Sequence, residues 1–277
     1  MTPDEYCQQK AAGSGSSFYY SFLFLPPERR RAITALYAFC REVDDVVDET
    51  HEPQLAAAKL AWWRAEVANF HAGNAQHPVT KALAVFKEKF SIQPERLNDI
   101  IDGMEMDLTQ TRYLDWAGLE RYCYRAAGVV GLLAAGIFGY RDARTLDYAR
   151  ELGIAFQLTN IIRDVGEDAR KNRIYLPMAD LKQFNVPASD ILQSRETPEF
   201  GRLMAFEAAR AREHYGKAMQ SLPRGDRKAQ RPGLIMAAIY RTLLDEVERD
   251  GFRVLTQRTS LTPLRKFWIA WRTWITA

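Results

Sequence analysis

The chain has 277 residues, of which 47% are hydrophobic, so it can bury a sizeable core as one large domain or two small ones. Its net charge of +3 is close to balance, and no Lys/Arg block is interleaved with aromatic residues. Both features argue against a nucleic-acid partner. The three cysteines are widely spaced, which is typical of a protein from a reducing cytosol. Four scattered histidines without a CxxC pair offer no zinc site.

We predict neither a secretion signal nor a membrane-spanning segment. Asp4 and Glu5 stand where a signal peptide would be basic. The uncharged run Ala126 to Tyr140 is shorter than the roughly 20 apolar residues of a spanning helix. We therefore expect a cytoplasmic protein that at most attaches peripherally to the inner membrane surface.

Helical periodicity of apolar residues runs through nearly every segment, and no stretch shows the alternation of a strand. Thr2-Pro3-Asp4-Glu5 has the cap, the proline and the acids of a helix start. Because composition does not break anywhere, we predict one all-α domain over residues 1–277. The later predicted helices are Glu28–Thr50, Pro53–His71, Pro78–Phe90, Pro94–Thr109, one within Leu114–Gly139, one within Ala155–Pro177, 198–221, 232–257 and Thr262–Ile275.

A small flexible stretch, Gly13 to Ser17, follows the first helix. Its simplest interpretation is a helix cap. The alternative is an anion site built from Ser14, Ser16 and the backbone N–H groups around them.

The next helix carries a polar edge beside its apolar stripe. The edge consists of Tyr37, Arg41, Asp44 and Asp48. These residues are four, three and four positions apart, and side chains at such spacings share a helix face. We expect Asp44 to border the stripe and Asp45 to point further towards solvent. Most acidic helix faces are simply solvated, so this edge alone is weak evidence of a site.

The helices between residues 53 and 109 are predicted to be mainly structural. Trp62, Trp63 and Phe70 are assigned to the core. The acidic face of Pro94–Thr109 is expected to be mainly solvated, with Asp107 near the mouth of the site.

Eight alanines and glycines lie between residues 126 and 139. Glycine inside a helix costs up to about 1 kcal/mol relative to alanine, so the pattern needs a reason. One reason is close packing against another helix, and the other is room for a long hydrocarbon ligand. Tyr122 and Arg125 come about one turn earlier and would stand at the head of such a tunnel.

The stretch Ala155 to Pro177 organises the rest of the chain. As a helix, it places four polar groups within an arc of about 80°: Gln157, Asn160, Asp164 and Asp168. Apolar residues fill the adjoining arc, so the carboxylates flank the buried side and need a cationic partner. Arg163 is the simplest partner. The two aspartate pairs of the chain, each with its own arginine, together favour a shared polyanion site.

Two further features follow from the C-terminal half. Gly166 indicates a close backbone approach or slight unwinding, and a basic and aromatic flank follows it at Arg170, Lys171, Arg173 and Tyr175. Thr262–Ile275 combines basic residues with three tryptophans, which suits a membrane interface or a last helix folded onto the bundle. We favour packing on the bundle with some surface contact.

Facing carboxylate pairs repel an anionic ligand, but they can hold Mg²⁺, which takes one or two carboxylates together with substrate phosphates. Arg41, Arg163 and the basic flank would take the remaining phosphate oxygens. An apolar tunnel beneath such a head group fits an isoprenyl diphosphate. Metal ions stabilise the leaving diphosphate, and dry walls keep water from the allylic carbocation.

At these residues the chain resembles the squalene and phytoene synthase family of head-to-head prenyl transferases. The matching pieces are Tyr37 to Asp48 (YAFCREVDDVVD), Tyr122 to Gly131 (YCYRAAGVVG) and Leu152 to Pro177. The first 50 residues resemble the branch that makes presqualene diphosphate in bacterial hopanoid biosynthesis. The resemblance implies an isoprenoid synthase helical bundle with a central cavity, Mg²⁺ as cofactor, and two farnesyl diphosphates as substrates.

The resemblance also implies roles for individual residues. The metal-binding residues fall on Asp44, Asp48, Asn160, Asp164 and Asp168. Diphosphate-binding arginines fall on Arg41 and Arg163, and the active-site tyrosine on Tyr122. The remaining substrate-binding residues that we predict are Ser14, Ser16, Tyr37, Gln157, Arg173 and Tyr175. In one departure, many members carry Lys or His just before the Ser-Phe near the N-terminus, where this chain has only serines.

Several alternatives stay open at this point. Dehydrosqualene, phytoene and squalene synthases of the same family differ in chain length or in how far the reaction runs. A terpene cyclase usually has a different second metal motif, and a di-iron bundle would need Glu-x-x-His motifs that this chain lacks. A non-catalytic helical scaffold at a membrane surface would explain the tail but not the aspartates. As a base, Tyr122 would need help from Arg125 or Mg²⁺, because a phenol has a pKa of about 10; released diphosphate is the other proton acceptor.

Overall fold

The computed structural model describes residues 1–13, 21–22, 24–50 and 52–277. Its helices are α1 Pro3–Gly13, α2 Pro27–Glu49, α3 Pro53–His71, α4 Pro78–Ala84, α5 Pro94–Thr109, α6 Trp116–Cys123, α7 Val129–Phe138, α8 Arg144–Arg170, α9 Met178–Gln183, α10 Ala188–Leu192, α11 Pro198–Ser221, α12 Arg231–Arg249 and α13 Pro263–Thr276. One π-helical turn, Tyr124–Gly128, joins α6 to α7. Ser14 to Ser17, the centre of the predicted Gly/Ser cap or anion site, lie outside the described residues.

Most helices begin where the sequence predicts. Proline is the first residue of α1 to α5, α11 and α13, a position where its missing N–H has no intrahelical partner. Thr2 and Glu5 form a reciprocal capping box, with backbone-to-side-chain bonds of 2.8 and 3.2 Å. The predicted bounds of α3 and α5 are correct, and the all-α fold is confirmed.

Several predicted bounds are wrong. The helix from Pro78 ends at Ala84 and continues only as turns to residue 90. The helix from 232 ends at Arg249, because Gly251 and Phe252 adopt positive φ angles of 71° and 56° that no α-helix continues. Helix α8 begins at Arg144, well before the predicted stretch Ala155 to Pro177. The short helices α9 and α10 were not predicted. Trp63 and Phe70 are buried, whereas Trp62 is 48% exposed instead of lying in the core.

The described residues contain no strand, but one isolated parallel bridge pairs Arg112 with Ile174. The backbone N–H of Ile174 donates to Thr111 O at 3.0 Å, and that of Met178 donates to Tyr113 O at 2.8 Å. These bonds tie the segment after α8 to the segment after α5. They bring the basic and aromatic flank beside the C-terminal end of α5.

Helix α8 runs through the middle of the molecule and packs against α11, α12, α7 and the π-turn. One apolar cluster surrounds α8, α11 and α12. A second surrounds α2, α3, α5 and α7. The π-turn and α7 contribute to both clusters, so the small-residue stretch lies between them. The expectation that residues 1–277 form one domain stays a prediction.

Glycines allow α7 and the π-turn to approach α8 closely. A Cβ at Gly131 would overlap the carbonyl oxygen of Ala149, and a Cβ at Gly153 would overlap that of Ala127. The predicted close approach at Gly166 is also present, since its N–H donates to Val254 O at 3.2 Å while the helix continues unbroken. Among the residues that the structure describes, no helix is long and apolar enough to cross a membrane.

We predict that Gly153→Ala destabilises the protein by about 1–3 kcal/mol, because the methyl group meets backbone and cannot be accommodated by side-chain movement. Gly216→Ala is the matched control. Gly216 lies inside α11 with nothing within 4 Å of its added Cβ, and this change should stabilise the protein by up to about 1 kcal/mol. Thermal unfolding of both variants is the measurement. A Gly153→Ala variant that melts at or above the wild-type temperature would contradict the close packing of α8.

Candidate active site

An apolar cavity lies between α2, the π-turn with α7, α8 and α12. Its walls include Ile33, Leu36, Ala127, Val130, Ala134, Phe138, Leu152, Phe156 and Met236. Tyr37, Gln157 and Asn160 line it as well, and we call their end the head of the cavity. The small-residue stretch therefore permits close helix packing at its glycines and lines an apolar cavity with its alanines. A hydrocarbon ligand in this cavity stays a prediction.

The first predicted aspartate pair, Asp44 and Asp48, lies on α2, about two and three turns beyond Tyr37. Arg41 donates to Asp44 at 2.6 Å and to Asp45 at 2.5 Å. Lys10 of α1 also contacts Asp45, at 2.7 Å. The prediction for Asp45 is wrong: its side chain is 15% exposed and that of Asp44 is 37% exposed. The reason is that α1 covers the Asp45 side of α2.

The second pair lies on α8, just beyond Asn160. Arg163 forms a two-pronged ion pair with Asp164, through Nε at 2.7 Å and through Nη2. Arg258, from the loop after α12, also contacts Asp164, at 3.0 Å. Asp168 forms no ion pair within the described part of the chain.

The basic flank after α8 bridges the two pairs. Lys171 Nζ lies 3.2 Å from Asp48 Oδ1, and Arg173 Nη1 lies 3.9 Å from the same atom. Pairing with local cations, the simplest interpretation of the aspartates, is therefore what the structure shows for three of them. The paired cations lie beside the carboxylates, and an incoming anion would compete with the carboxylates for these cations.

Two of the crowded aspartates, Asp44 and Asp168, have raised pKa values. Burial, opposed by Arg41 and reinforced by Asp48 and Asp45, raises the pKa of Asp44 to about 6. Burial and the neighbouring Asp164 and Asp107 raise the pKa of Asp168 to about 7. The ionised forms of both groups are thus disfavoured unless additional positive charge arrives.

The donor set fits a metal ion that arrives together with phosphate. In the described residues, no three His, Cys, Asp or Glu side chains lie close enough to hold an ion by themselves. The Oδ1 atom of Asn160 is buried and has no hydrogen-bond partner among the described residues. A hard cation such as Mg²⁺ commonly combines one or two carboxylates with substrate phosphates, and an amide oxygen is a further suitable ligand.

A buried carboxylate that the sequence analysis did not assign to the site lies beside it. Asp107 of α5 accepts hydrogen bonds from Tyr122 at 2.9 Å and from Tyr175 at 2.9 Å, one on each oxygen. Arg173 donates to the backbone carbonyl of Asp107 at 3.2 Å. The rings of Tyr122 and Tyr175 stack with centroids 5.2 Å apart, and Tyr113 packs against both. We call Asp107, Tyr113, Tyr122 and Tyr175 the tyrosine cluster.

These contacts correct two expectations. Asp107 is 8% exposed and not solvated, and burial raises its pKa to about 6 although both phenols lower it. Arg125 does not assist Tyr122, because its guanidinium lies 3.5 Å from Asp102. Burial, followed by the charge of Asp107, raises the pKa of Tyr122 well above its usual value. Tyr122 therefore acts as a hydrogen-bond donor here.

Sequence reasoning missed Arg258, and it placed Asp107 near the mouth of the site without giving it a role. Arg258 lies in a segment without acids, which indicated a basic surface. No spacing rule connects it to Asp164, which is 94 residues away in the sequence. Asp107 was one of several acids on α5, and only its contacts with residues far along the chain distinguish it.

Comparison with known proteins agrees with this geometry. The family model for squalene/phytoene synthase matches residues 11–265. This chain belongs to the squalene/phytoene synthase family. It is therefore a transferase of isoprenoid biosynthesis, of the head-to-head prenyl transferase type, and the family expected from the sequence is confirmed.

Individual members of the squalene/phytoene synthase family are similar over most of their length. A phytoene synthase from Arthrospira platensis is 34% identical over 275 residues, which cover 95% of this chain and 89% of that protein. A dehydrosqualene synthase structure has a TM-score of 0.86 at 28% identity and covers 98% of this chain and 95% of its own. The squalene synthase HpnC from Alicyclobacillus acidocaldarius has a TM-score of 0.81 at 29% identity and covers 90% and 94%.

We predict that Asp168→Asn stabilises the ligand-free protein at pH 8. The raised pKa means that the folded state holds the Asp168 proton more tightly than the unfolded state does. Stability is therefore lost as the pH rises from about 4, the unfolded value, to about 7. Removing the charge should restore on the order of 1 kcal/mol at pH 8 and almost nothing at pH 4.

Chemical denaturation across this pH range is the measurement. Asp147→Asn, an exposed aspartate on the same helix, is the control and should bring no gain. An Asp168→Asn variant that is less stable than wild type at pH 8 would show that Asp168 already has its positive partner.

Proposed function

We propose that this enzyme condenses two molecules of farnesyl diphosphate into presqualene diphosphate, with release of diphosphate and a proton, in a Mg²⁺-dependent reaction. The observation that carries the proposal is the position of Asn160 Oδ1, which is buried without a hydrogen-bond partner in the part of the chain that the structure describes. It lies at the head of an apolar cavity, on the helix that bears Asp164 and Asp168. An amide oxygen and flanking carboxylates above a hydrocarbon-sized space suit a metal-bound diphosphate with an apolar tail.

The binding roles follow from the positions of the charged groups. Asp44, Asp48, Asn160, Asp164 and Asp168 are the proposed metal ligands. Bound Mg²⁺ would neutralise the leaving diphosphate. Arg41, Arg163 and Arg173 bind phosphate oxygens, and each already lies within 4 Å of an aspartate at the site.

Tyr37 and Gln157 line the head of the cavity beside Asn160 and are the proposed polar contacts next to the diphosphate. Ser14 and Ser16 keep their proposed role in substrate binding, although they lie outside the described residues. Tyr175 is proposed to act through the tyrosine cluster.

The reaction begins when the allylic carbon–oxygen bond of one farnesyl diphosphate breaks. The electron pair leaves with the diphosphate, and an allylic carbocation remains. Aliphatic and aromatic walls such as Val130, Leu152 and Phe156 offer no nucleophile and exclude water. The double bond of the second molecule attacks the cation, and loss of a proton closes the cyclopropane ring while the second diphosphate is kept.

The tyrosine cluster is proposed to stabilise the positive charge and not to remove the proton. The Tyr122 hydroxyl already donates to Asp107, and Gln157 of the cavity lining approaches that hydroxyl at 3.5 Å. With a pKa of about 6, Asp107 is mainly ionised near neutral pH. The released diphosphate is therefore the proposed proton acceptor.

The choice of product rests on the resemblance of the N-terminal 50 residues to presqualene diphosphate synthases. The curated relatives named phytoene synthase favour a second candidate, the joining of two geranylgeranyl diphosphates. The similarity to a solved dehydrosqualene synthase and a solved squalene synthase favours substrates with fifteen-carbon chains. Product analysis distinguishes these possibilities.

We expect purified enzyme with farnesyl diphosphate and Mg²⁺ to give presqualene diphosphate as the main product, with or without NADPH, and to lose turnover when EDTA is added. Mass spectrometry of dephosphorylated products is the measurement. Parallel reactions with geranylgeranyl diphosphate test chain length. Squalene on addition of NADPH, or dehydrosqualene without it, would change the assigned end point. Phytoene as the preferred product would assign the second candidate.

We also predict that Tyr122→Phe lowers kcat by about 10- to 100-fold with little change in KM, because the lost group acts on the developing charge and not on the bound substrate. Asp107→Asn should have a similar effect, since it removes the negative charge shared by both phenols.

Tyr215→Phe is the matched control for these variants. Tyr215 is a buried tyrosine bonded to Thr159 at 2.9 Å and lies outside the cavity lining. Its loss should affect stability but not kcat. If Tyr122→Phe and Tyr215→Phe have the same kcat, the tyrosine cluster has no role in the chemical step.

A further inference from the structure

Helix α13 exposes a continuous apolar stripe. Its five members are between 41% and 84% exposed: Leu264, Phe267, Trp268, Trp271 and Ile275. At 100° per residue they fall within an arc of about 100°. The other exposed large apolar side chains of the described residues are scattered, with at most two on any one helix. A patch of this kind on a helix surface marks an interaction site.

The opposite face of α13 fixes the helix to the bundle. Ala270 is fully buried, and α13 packs along α12. Trp274 stacks on Phe24 at 5.1 Å, and the guanidinium of Arg231 lies 5.0 Å from the same indole ring. Arg265 forms an ion pair with Glu246 of α12 at 2.5 Å. The exposed stripe is therefore not the face by which α13 packs on the bundle, because the opposite face already makes those contacts.

The segment that carries the stripe is basic in sequence, although Arg265 is already paired with Glu246 of α12. The chain contains no acidic residue after Asp250 but five basic ones: Arg253, Arg258, Arg265, Lys266 and Arg272. Within the described residues, Lys266 and Arg272 form no ion pair. Helical spacing places Arg265 and Arg272 along one margin of the stripe. An apolar face with tryptophans and basic residues at its margin is the pattern of a helix that lies in a membrane interface.

We propose that the Leu264/Phe267/Trp268/Trp271/Ile275 stripe docks this protein onto an anionic lipid surface, with α13 lying in the plane of the interface. The apolar side chains enter the acyl boundary, and Arg272, which forms no ion pair among the described residues, meets the head groups. A second protein molecule fits less well, because a self-complementary contact through this face would bring basic margins together. The surface argument is independent of the proposed reaction.

On the proposed function, the position of the stripe also suits an enzyme whose product carries long hydrocarbon chains. Helix α13 lies along α12, whose first residues, Pro232 and Gly233, line the cavity. A bilayer at this face would lie next to the cavity wall.

Co-sedimentation of the full-length protein with vesicles, in the absence of substrate, tests the proposal. Vesicles of phosphatidylcholine with phosphatidylglycerol should bind the wild-type protein at low salt, and 0.5 M salt (about a 4 Å screening length) or pure phosphatidylcholine should weaken binding. The double variant Trp268→Ser/Trp271→Ser should bind at least about tenfold more weakly. Trp62→Ser, which changes a tryptophan of similar exposure on α3, is the control and should bind like wild type.

Thermal melting establishes that the double variant is folded, and sedimentation velocity reports its oligomeric state. Lack of wild-type binding to the anionic vesicles would overturn the proposal. Unchanged binding by the folded double variant would overturn it as well. A wild-type dimer that the double variant loses, without vesicle binding, would assign the stripe to a protein interface. Turnover of farnesyl diphosphate is measured separately without lipid, so failure of the proposed reaction cannot be mistaken for failure of docking.

Discussion

The rest of this structure depends on one constraint: carboxylates lie close to one another in a site that is only partly open to water. Helices α2 and α8 each bring an aspartate pair to the mouth of an apolar cavity, and neither pair can neutralise the other. Cations from the segment after α8 and from the loop after α12 therefore converge there, in the form of Lys171, Arg173 and Arg258. The connections between helices are arranged so that basic side chains reach this mouth.

Local rules explain which parts of this arrangement could be predicted. Proline at the first helical position and side-chain caps are encoded within four residues, so the starts of α1, α3 and α5 follow from sequence. The four-residue spacing of Asp164 and Asp168 likewise determines their common face. Ends are less local: α12 stops at Arg249 because the chain turns with positive φ at Gly251 and Phe252, and Phe252 gives no sign of that in its residue type.

The parts that could not be predicted depend on distant contacts. Asp107 bonds to partners 15 and 68 residues away, and backbone bonds such as the bridge between Arg112 and Ile174 bring Tyr175 to it. Asp45 is covered because α1 folds across α2, a packing choice that no property of the DDVVD sequence reveals. Tyr122 was identified as a site residue by resemblance, but its hydrogen-bonding role requires knowing that Asp107, and not Arg125, is its neighbour.

The tyrosine cluster suggests how a negative charge can lie near a carbocation without reacting with it. A bare carboxylate beside an allylic cation would collapse onto it as an ester. Each oxygen of Asp107 instead accepts a phenolic hydrogen bond, from Tyr122 and Tyr175, and the carboxylate is almost completely buried behind them. Its charge still polarises both phenols, because electrostatic interactions are strong in a poorly solvated site. On the proposed reaction, Asp107 therefore acts through the oxygen atoms and ring faces of the tyrosines, which attract positive charge while the carboxylate remains out of bonding reach.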